Sequence, residues 1–261
     1  MKFTYPKPKG FDIELAFYTK VLKLKSLHWG LWKKGEKLNL DNFKKAQQRY
    51  SKHLLKYVPL TTKTVLDIGA GIGDNAVLLS QKGIKVTAVS PDPNQKETFN
   101  IISQKYPNIS FIQSKYEDLK LDKTFDLILM SESSNYFPLK KGVRQTAKYL
   151  NANGYWLVSG LFRKQNTKHY EVFNVESEFI EDAIRHRFKI VKREDITNKV
   201  LPSMEMASNY FQQYVNPAIS LLADYYRKAF TWKTYFISLF FSREVNLLSD
   251  AFTKVIPERL D

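Results

Sequence analysis

The sequence predicts an α/β protein with a Rossmann-like, doubly wound and mostly parallel sheet. Short apolar runs alternate with segments of helical periodicity along the middle of the chain. The first run enters a glycine-rich turn, residues 65–74, with the sequence VLDIGAGIGD. A later pair, Asn153-Gly154, introduces another apolar run. Strands that alternate with helices at this spacing pair in parallel, because each helix carries the chain back to the same end of the sheet.

Turn and capping residues set the bounds of the predicted elements. Asp41 is a candidate cap for a helix that Pro59 ends, and Gly83 closes the helix after the glycine-rich turn. The predicted strands are Thr64–Ile68, Lys85–Ser90, Ser110–Gln113, Phe125–Met130, Tyr155–Phe162 and Lys189–Arg193. The predicted helices between them are Asn75–Gln81, Gln95–Lys105, Gly142–Leu150 and Val175–Arg187.

The chain divides into three predicted segments: a basic helical arm or lid (1–59), the sheet domain (60–200) and an aromatic-rich helical cap (201–261). In the cap, Asn216-Pro217 is typical of a helix start, and a second helix is expected over Tyr235–Phe252. The aromatic side chains of the cap favour ordinary core packing. The alternatives are the wall of an apolar substrate pocket and contact with lipid.

The net charge of +15 is concentrated in the first 60 residues, which hold 14 Lys/Arg against 4 Asp/Glu. This segment is either a lysine-rich solvated face or a surface drawn to an anionic membrane, nucleic acid or metabolite. The absence of cysteine excludes disulfides, thiolate metal sites and cysteine nucleophiles. The start MKFTYPKPKG lacks the apolar core of a signal peptide, and no apolar run approaches the roughly 20 residues of a membrane span. We therefore expect a cytoplasmic protein.

The glycine-rich turn favours a ligand with a positive group. Its pattern is G-x-G-x-G, whereas a dinucleotide fingerprint has G-x-G-x-x-G and a phosphate loop ends in Lys-Ser/Thr. Asp74 follows the last glycine, at a helix start where a pyrophosphate would otherwise bind. Asp67, two residues before Gly69, adds a second carboxylate beside the turn.

VLDIGAGIGD resembles motif I of the class I S-adenosylmethionine-dependent methyltransferases, whose cofactor carries an amino group and a sulfonium. The resemblance covers roughly residues 15–200, and YLNANGYWLVSGLF (149–162) is similar to the turn and fifth strand of that class. Within the class, the chain looks most like the cyclopropane-synthase-like and small-molecule methyltransferases. The resemblance implies S-adenosyl-L-methionine as the cofactor.

The resemblance also implies which residues meet the cofactor. In this group the end of the second strand and the following helix hold the ribose and adenosine, here Ser90, Pro91 and Gln95, with Asp92 as the alternative. An aromatic–polar pair after strand three meets the adenine, and an aromatic–glycine segment covers the methionine end. The implied cofactor contacts are Trp29, Gly30, Asp67, Gly69, Ala70, Gly71, Ser90, Pro91, Gln95, Tyr116, Glu117 and Ser131. Instead of contacting the adenine, Tyr116 could be a residue of a surface turn. Instead of covering the cofactor, Trp29 could anchor the N-terminal arm by hydrophobic packing.

Departures from the family pattern reduce the number of reactions and substrates that the sequence favours. Cyclopropane synthases carry a Glu-His pair after strand four, where this chain has Asn135-Tyr136, so plain methyl transfer is expected rather than ring closure. The segment Ser131–Ser134 lacks the Asn/Asp-Pro-Pro-Tyr/Phe motif of nucleobase and glutamine methyltransferases, which weakens the nucleic-acid alternative. No final antiparallel strand is evident: it is either lost or replaced by the C-terminal helices.

Methyl transfer needs alignment and exclusion of water, and a hydroxyl or carbon acceptor also needs a base. The candidate bases are His28, Glu132, Tyr136 and His169; an amine or carboxylate acceptor would need none of them. No metal site is expected. The predicted function is methyl transfer to a small apolar or lipid-like acceptor, with peripheral contact at an anionic membrane. The alternatives are RNA methylation through the basic arm and a non-catalytic cofactor-binding module.

Overall fold

The computed structural model describes residues 13–165 and 173–229 of the chain. The predicted helix over Tyr235–Phe252 and the candidate base His169 lie outside these residues. The helices are α1 (Ile13–Ala16), α2 (Leu40–Leu55), α3 (Asp74–Ser80), α4 (Pro93–Lys105), α5 (Leu139–Tyr149), α6 (Glu176–Arg185), α7 (Thr197–Tyr210) and α8 (Asn216–Ala229). The strands are β1 (Thr64–Ile68), β2 (Lys85–Ser90), β3 (Ile109–Gln113), β4 (Phe125–Ser131) and β5 (Leu150–Ser159). None of the described helices is both long and apolar enough to cross a membrane.

The five strands form one sheet in the order β3-β2-β1-β4-β5, and every neighbouring pair is parallel. The chain starts at the centre with β1, moves outward to β3, and returns to the other side of β1 with β4 and β5. This topology confirms the predicted Rossmann-like, doubly wound fold. Because the strands are parallel, the loops that follow β1, β2, β4 and β5 meet at one edge of the sheet, where ligands bind in folds of this type.

The centre of the sheet is buried on both faces, which explains why its strands read as nearly continuous apolar runs. Leu66 of β1 and Ile128 of β4 pair in register and are fully inaccessible to solvent. Around them lies a core cluster that includes Val89, Met130 and Tyr149. The burial of this apolar surface is the main driving force that places β1 and β4 side by side.

Strand β5 differs from the prediction at both ends, since it begins at Leu150 and ends at Ser159. The pair Asn153-Gly154, predicted to lead into the strand, lies inside it, and Asn153 adopts a positive φ of 64°. The pairing with β4 shifts register between Phe125 and Leu127. The chain therefore accommodates these turn residues as an irregularity within the strand, as β-bulges do.

The predicted strand at Lys189–Arg193 is wrong, because residues 186–196 belong to no helix or strand. Ile190 and Val191 are 53% and 78% exposed, so the segment buries neither of its apolar side chains. Arg193 instead pairs with Glu176, with Nε 2.6 Å from Oε1. The part of the chain that the structure describes contains no antiparallel strand.

Helix α8 begins at Asn216, as the Asn216-Pro217 pair predicts, but Asn216 is not its N-cap, because the chain is already helical when it reaches this pair. Helix α7 continues through a π-helical turn, Phe211–Val215, directly into α8. Asn216 accordingly has helical angles, φ −59° and ψ −49°, rather than those of an N-cap. Pro202, next to the predicted boundary between the sheet domain and the helical cap at residues 200 and 201, lies inside α7.

The chain forms two compact units. Among the described residues, the first comprises 13–28, 47–165 and 173–194 and contains the sheet; the second comprises 29–46 and 195–229. In the second unit, Ser203 Oγ accepts hydrogen bonds from the Gly30 backbone N–H (2.9 Å) and from the Trp32 indole Nε1–H (2.8 Å). One buried hydroxyl thus satisfies two donors from a segment that is distant in the sequence.

Replacing Ser203 by alanine is expected to destabilise the protein by about 2–4 kcal/mol, because two buried donors lose their acceptor. Ser220→Ala is the matched control, since Ser220 lies exposed on α8; its effect should stay within about 0.5 kcal/mol. Urea denaturation measures both free energies of unfolding. Equal losses in the two variants would show that the Ser203 hydroxyl contributes nothing.

Candidate functional site

The glycine-rich turn connects β1 to α3 with three glycines at positive φ: Gly69 (69°), Gly71 (57°) and Gly73 (86°). A Cβ added at Gly69 would lie 2.5 Å from the Cβ of Ser133, in the loop after β4. Ser133 Oγ in turn donates a hydrogen bond to the Ile68 carbonyl at the end of β1. The turn is therefore held directly against the β4 loop, in a conformation that favours glycine.

Asp67 is the one carboxylate within the central strand and is 1% exposed. Its Oδ2 has no hydrogen-bond partner. Burial raises the pKa of the Asp67 carboxyl to about 8, and the negative charge of Asp74 adds to the shift. A buried acid without a donor is costly, so this position is suited to a ligand that brings a donor or a positive charge.

Asp74, the first residue of α3, is instead surrounded by donors. Its Oδ2 accepts from Ser26 Oγ (2.7 Å) and Ser51 Oγ (3.1 Å), and lies 3.0 Å from His28 Nε2. Burial raises the pKa of Asp74, but the His28 interaction and the two hydroxyls outweigh it and hold the pKa below its usual value. The two carboxyls beside the turn thus differ in charge near neutral pH, with Asp74 ionised and Asp67 largely protonated.

His28, predicted as a candidate base, is committed to this network. Its Nε2 also lies 2.8 Å from Ser51 Oγ, and its ring stacks on that of Tyr50 with centroids 4.5 Å apart. The ring is 7% exposed. This position makes His28 a partner of Asp74 at the glycine turn. As a proton acceptor for a bound molecule it is poorly placed.

The residues predicted to hold the ribose lie at the end of β2 and the start of α4. Ser90 is buried, and its Oγ accepts from the Asp92 backbone N–H at 3.2 Å, while Pro91 is exposed. Gln95, in the first turn of α4, has a buried Oε1 without a hydrogen-bond partner. The alternative residue Asp92 caps α4 by accepting from the Asn94 N–H at 2.8 Å. Gln95 is therefore the side chain among these residues whose free acceptor oxygen a ligand hydroxyl would satisfy.

Tyr116 does not lie where an adenine ring could stack on it. It is 3% exposed and belongs to the core cluster, and its hydroxyl lies 2.9 Å from Thr146 Oγ1 of α5. Its ring contacts Phe137, with centroids 5.0 Å apart. The neighbouring Glu117 is partly buried, and its carbonyl accepts from Gln145 Nε2. The structure thus places Tyr116 in the protein interior, which differs from both readings of the sequence.

The ends of β4 and β5 bring together Ser131, Glu132 and Ser159. Ser131 and Ser159 pair in register, and the Glu132 N–H donates to the Ser159 carbonyl at 2.7 Å. Glu132 has a positive φ of 60°, a backbone conformation that is uncommon for a non-glycine residue. The candidate base Tyr136 lies four residues further on and is 82% exposed. Glu132 is therefore the described candidate base that the fold places at the ligand edge.

Trp29 and Gly30, predicted to cover the cofactor, belong to the second unit. Gly30 is buried, and a Cβ added there would lie 2.6 Å from the Cβ of Ala46. Close packing within that unit accounts for glycine at this position. Trp29 is partly buried; its contact with a cofactor stays a prediction.

Buried acceptor atoms at the glycine turn and the neighbouring helix starts fit the donors of S-adenosylmethionine. Asp67 Oδ2, Asn75 Oδ1 and Gln95 Oε1 are buried without partners, and an ammonium group or ribose hydroxyls would satisfy such atoms. Gly69 and Gly71 are partly buried, and the small side chain of Ala70 between them is buried. Within the described ranges, no group of three or more His, Asp or Glu side chains is arranged to hold a metal ion.

The sequence reasoning missed Asn75, Tyr50 and Ser159. Asn75 follows the motif directly, and nothing distinguishes it from an ordinary helix residue until its buried oxygen is seen. Tyr50 occupies an apolar position of α2, and its hydroxyl was the one feature of the sequence that indicated a polar role for this residue. Ser159 Oγ lies 2.6 Å from that hydroxyl.

Part of the chain is similar to known methyltransferases. Residues 65–154 match the family model of a methyltransferase domain. The ubiquinone biosynthesis O-methyltransferase of Rickettsia typhi is 27% identical over 111 residues, which are 42% of this chain and 45% of that protein. The chain spans about half the length of the curated relatives it matches.

Solved structures show the same fold at low sequence identity. Geranyl diphosphate C-methyltransferase from Streptomyces coelicolor A3(2), in complex with Mg²⁺, geranyl diphosphate and S-adenosyl-L-homocysteine, superposes with a TM-score of 0.64 and 16% identity. The match covers 75% of this chain and 85% of that one. The [4+2]-cyclase SpnF gives a TM-score of 0.65 at 15% identity, over 77% and 83% of the two chains.

The parallel sheet, the glycine turn with its buried carboxylate and the matching family model lead to one assignment. Residues 65–154 form a methyltransferase domain of the class I S-adenosylmethionine-dependent type, and S-adenosylmethionine is its cofactor.

Proposed function

We propose that this chain transfers the methyl group of S-adenosylmethionine to a small, largely apolar or lipid-like organic acceptor. The observation that carries the proposal is the position of Glu132. It follows β4 directly, and its strained backbone lies at the same sheet edge as the glycine turn. A carboxylate at this edge faces the region where an acceptor would meet the cofactor in an open α/β fold.

The residues around the turn would hold the cofactor. Asp67 and Gln95 offer buried acceptor oxygens, and Gly69 and Gly71 allow the backbone to approach the ligand. When bound, S-adenosylmethionine supplies a methyl group on a positively charged sulfur. The part left to the protein is to orient the acceptor and to exclude water.

Glu132 is the group that we assign to the acceptor's proton. A hydroxyl or an acidic carbon must lose a proton as it gains a methyl group, and a positioned carboxylate accepts it. His28 is engaged with Asp74, and Tyr136 is on the surface, so neither competes for this role among the described candidates. His169, outside the described residues, stays a prediction.

Similar proteins and charge support the choice of acceptor. The Rickettsia relative is named for an O-methylation in ubiquinone biosynthesis, and the Streptomyces structure contains geranyl diphosphate. The excess of Lys and Arg in the first 60 residues would draw the chain to an anionic membrane, where apolar acceptors partition. Peripheral membrane contact is therefore part of the proposal.

The experiment is methyl transfer from methyl-labelled S-adenosylmethionine into an extract of the native cells. The extract is separated into lipid, small-molecule, RNA and protein fractions. We expect label in the lipid or small-molecule fraction, and at least about 100-fold less with Glu132→Gln, which keeps the size of the side chain but cannot accept the proton.

Label in RNA or protein would overturn the choice of acceptor and favour the basic arm as a recognition surface. If no fraction gains label although the cofactor binds, the chain is a cofactor-binding module without transferase activity. Equal labelling by the wild type and by Glu132→Gln would remove Glu132 from the reaction.

A further inference from the structure

Tyr50 is a buried tyrosine that lies outside the methyltransferase-domain match at residues 65–154. It projects from α2 and is 2% exposed. Its hydroxyl lies 2.6 Å from Ser159 Oγ at the end of β5, and it interacts with the Glu132 carboxylate and the Ser131 hydroxyl at the end of β4. Its ring stacks on His28, the partner of Asp74. Tyr50 thus touches both the network beside the glycine turn and the edge that we assign to the acceptor.

The direction of these hydrogen bonds follows from charge. Burial and the nearby Glu132 carboxylate raise the pKa of Tyr50 well above its usual value, so its hydroxyl keeps its proton. A carboxylate can only accept, and a tyrosine has one proton to donate. Tyr50 therefore donates to Glu132, and Ser159 Oγ–H donates to the Tyr50 oxygen, with which the Ser131 hydroxyl also interacts.

The three residues close a ring of hydrogen bonds. The Glu132 backbone N–H donates to the Ser159 carbonyl at 2.7 Å, the Ser159 hydroxyl donates to Tyr50, and Tyr50 donates to the Glu132 side chain. The ring fixes both ends of Glu132, its amide and its carboxylate. A residue with φ 60° is held in that conformation only when its surroundings define it.

We propose that Tyr50 is the positioning residue of Glu132: its hydroxyl holds the carboxylate ionised and aimed at the acceptor edge. The inference rests on the proposed function, in which Glu132 accepts the acceptor's proton. Tyr50 does not itself touch the acceptor or act as the base. Its ring packs on His28, while its hydroxyl acts through Glu132.

The test compares Tyr50→Phe with Tyr149→Phe, which removes an equally buried hydroxyl. Tyr149 Oη donates to the Leu119 carbonyl at 2.6 Å and belongs to the core cluster of the sheet. Both substitutions keep the aromatic ring. A loss that reflects only packing or stability should therefore appear in both variants.

The first readout needs no acceptor. The titration of Glu132 is followed by carboxyl ¹³C NMR, with Glu132→Gln to assign the signal. Because a donated hydrogen bond favours the charged form, Tyr50→Phe should raise the pKa of Glu132 by about one unit or more. Tyr149→Phe should leave it unchanged. An unshifted Glu132 titration in Tyr50→Phe would overturn the proposal, whether or not methyl transfer is found.

The second readout is turnover with the labelled fraction. Tyr50→Phe should lower kcat about tenfold or more and move the acidic limb of the pH profile upward by the same shift as the Glu132 titration. Its affinity for S-adenosylmethionine should stay within about twofold of the wild type. The double variant with Glu132→Gln should be no slower than Glu132→Gln alone, because Tyr50 acts through that carboxylate. Additive losses would assign Tyr50 an independent role and contradict the proposal.

Should Tyr50→Phe fail to fold, Ser159→Ala replaces it, since that change removes the donor to Tyr50 but keeps the Tyr50–Glu132 bond. We then expect a smaller upward shift of the Glu132 titration, and no shift at all would count against the proposal. If the Glu132 titration shifts but no methyl transfer is found, the proposed function is refuted, whereas the role of Tyr50 in positioning Glu132 still holds.

Discussion

S-adenosylmethionine should bind this protein more tightly as the pH rises from 5.5 to 7.5. The carboxyl of Asp67 has a pKa of about 8 because it is fully buried and faces Asp74. A cationic group beside it favours the ionised form, so binding below pH 8 releases a proton. The affinity is then expected to rise by up to about tenfold per pH unit in this window.

Calorimetry in two buffers of different ionisation enthalpy measures the proton released, which should approach one per cofactor near pH 7. Asp67→Asn cannot ionise, so it should bind more weakly and with little pH dependence. A wild-type affinity that does not vary between pH 5.5 and 7.5 would show that Asp67 stays protonated in the complex or does not face the cation.

The same substitution should stabilise the protein without ligand. A carboxyl whose pKa is raised on folding binds more protons when folded, so its contribution to stability falls as the pH rises from about 4 to 8. The amide side chain of the variant carries no such dependence, so Asp67→Asn should raise the melting temperature most clearly at pH 8. Weaker binding combined with higher stability is characteristic of a residue kept for function.

Replacing Gly69 by alanine should weaken S-adenosylmethionine binding at least tenfold, whereas Gly83→Ala should leave it unchanged. The two glycines have similar positive φ values, 69° and 80°, so backbone strain is about equal. They differ in surroundings. A Cβ at Gly69 would lie 2.5 Å from the Cβ of Ser133, whereas no atom lies within 4 Å of one at Gly83. The added methyl at Gly69 must therefore displace the turn or the β4 loop.

Titration calorimetry gives the two affinities, and thermal denaturation gives the two stabilities. The strain cost of about 1–2 kcal/mol should appear in both variants, which separates it from the effect on binding. If Gly83→Ala weakened binding as much as Gly69→Ala, general destabilisation would explain the loss and the turn would have no special part in it.

The fold was predictable because it depends on local patterns. The burial of β1 and β4 on both faces is visible as apolar runs, and the glycine turn is visible as a motif. Local patterns failed at residues 189–193, where a strand was predicted but none forms. Ile190 and Val191 fit the apolar pattern of a strand, but both are exposed to solvent. Whether an apolar residue is buried depends on what packs against it, and this information lies elsewhere in the chain.

The sequence indicated candidate site residues most directly beside the glycine-rich motif. Asp67 stood out as a carboxylate inside an apolar strand. Tyr116 was misplaced because the partner of its hydroxyl, Thr146, comes from a helix 30 residues later. His28 was among the candidate bases because the sequence does not show that Asp74, 46 residues away, is its partner. Long-range partners decide whether a polar side chain is available or engaged, and spacing along the sequence does not reveal them.

The hydrogen bonds of Ser203 have a consequence for synthesis on the ribosome. Gly30 and Trp32 leave the ribosome well before their acceptor, since Ser203 follows Gly30 by 173 residues. At about 5–20 residues per second, the two donors wait roughly 9–35 s for the hydroxyl that satisfies them. The whole five-stranded sheet is translated during that interval. The nascent chain can therefore complete its cofactor-binding sheet first, and the second unit closes last.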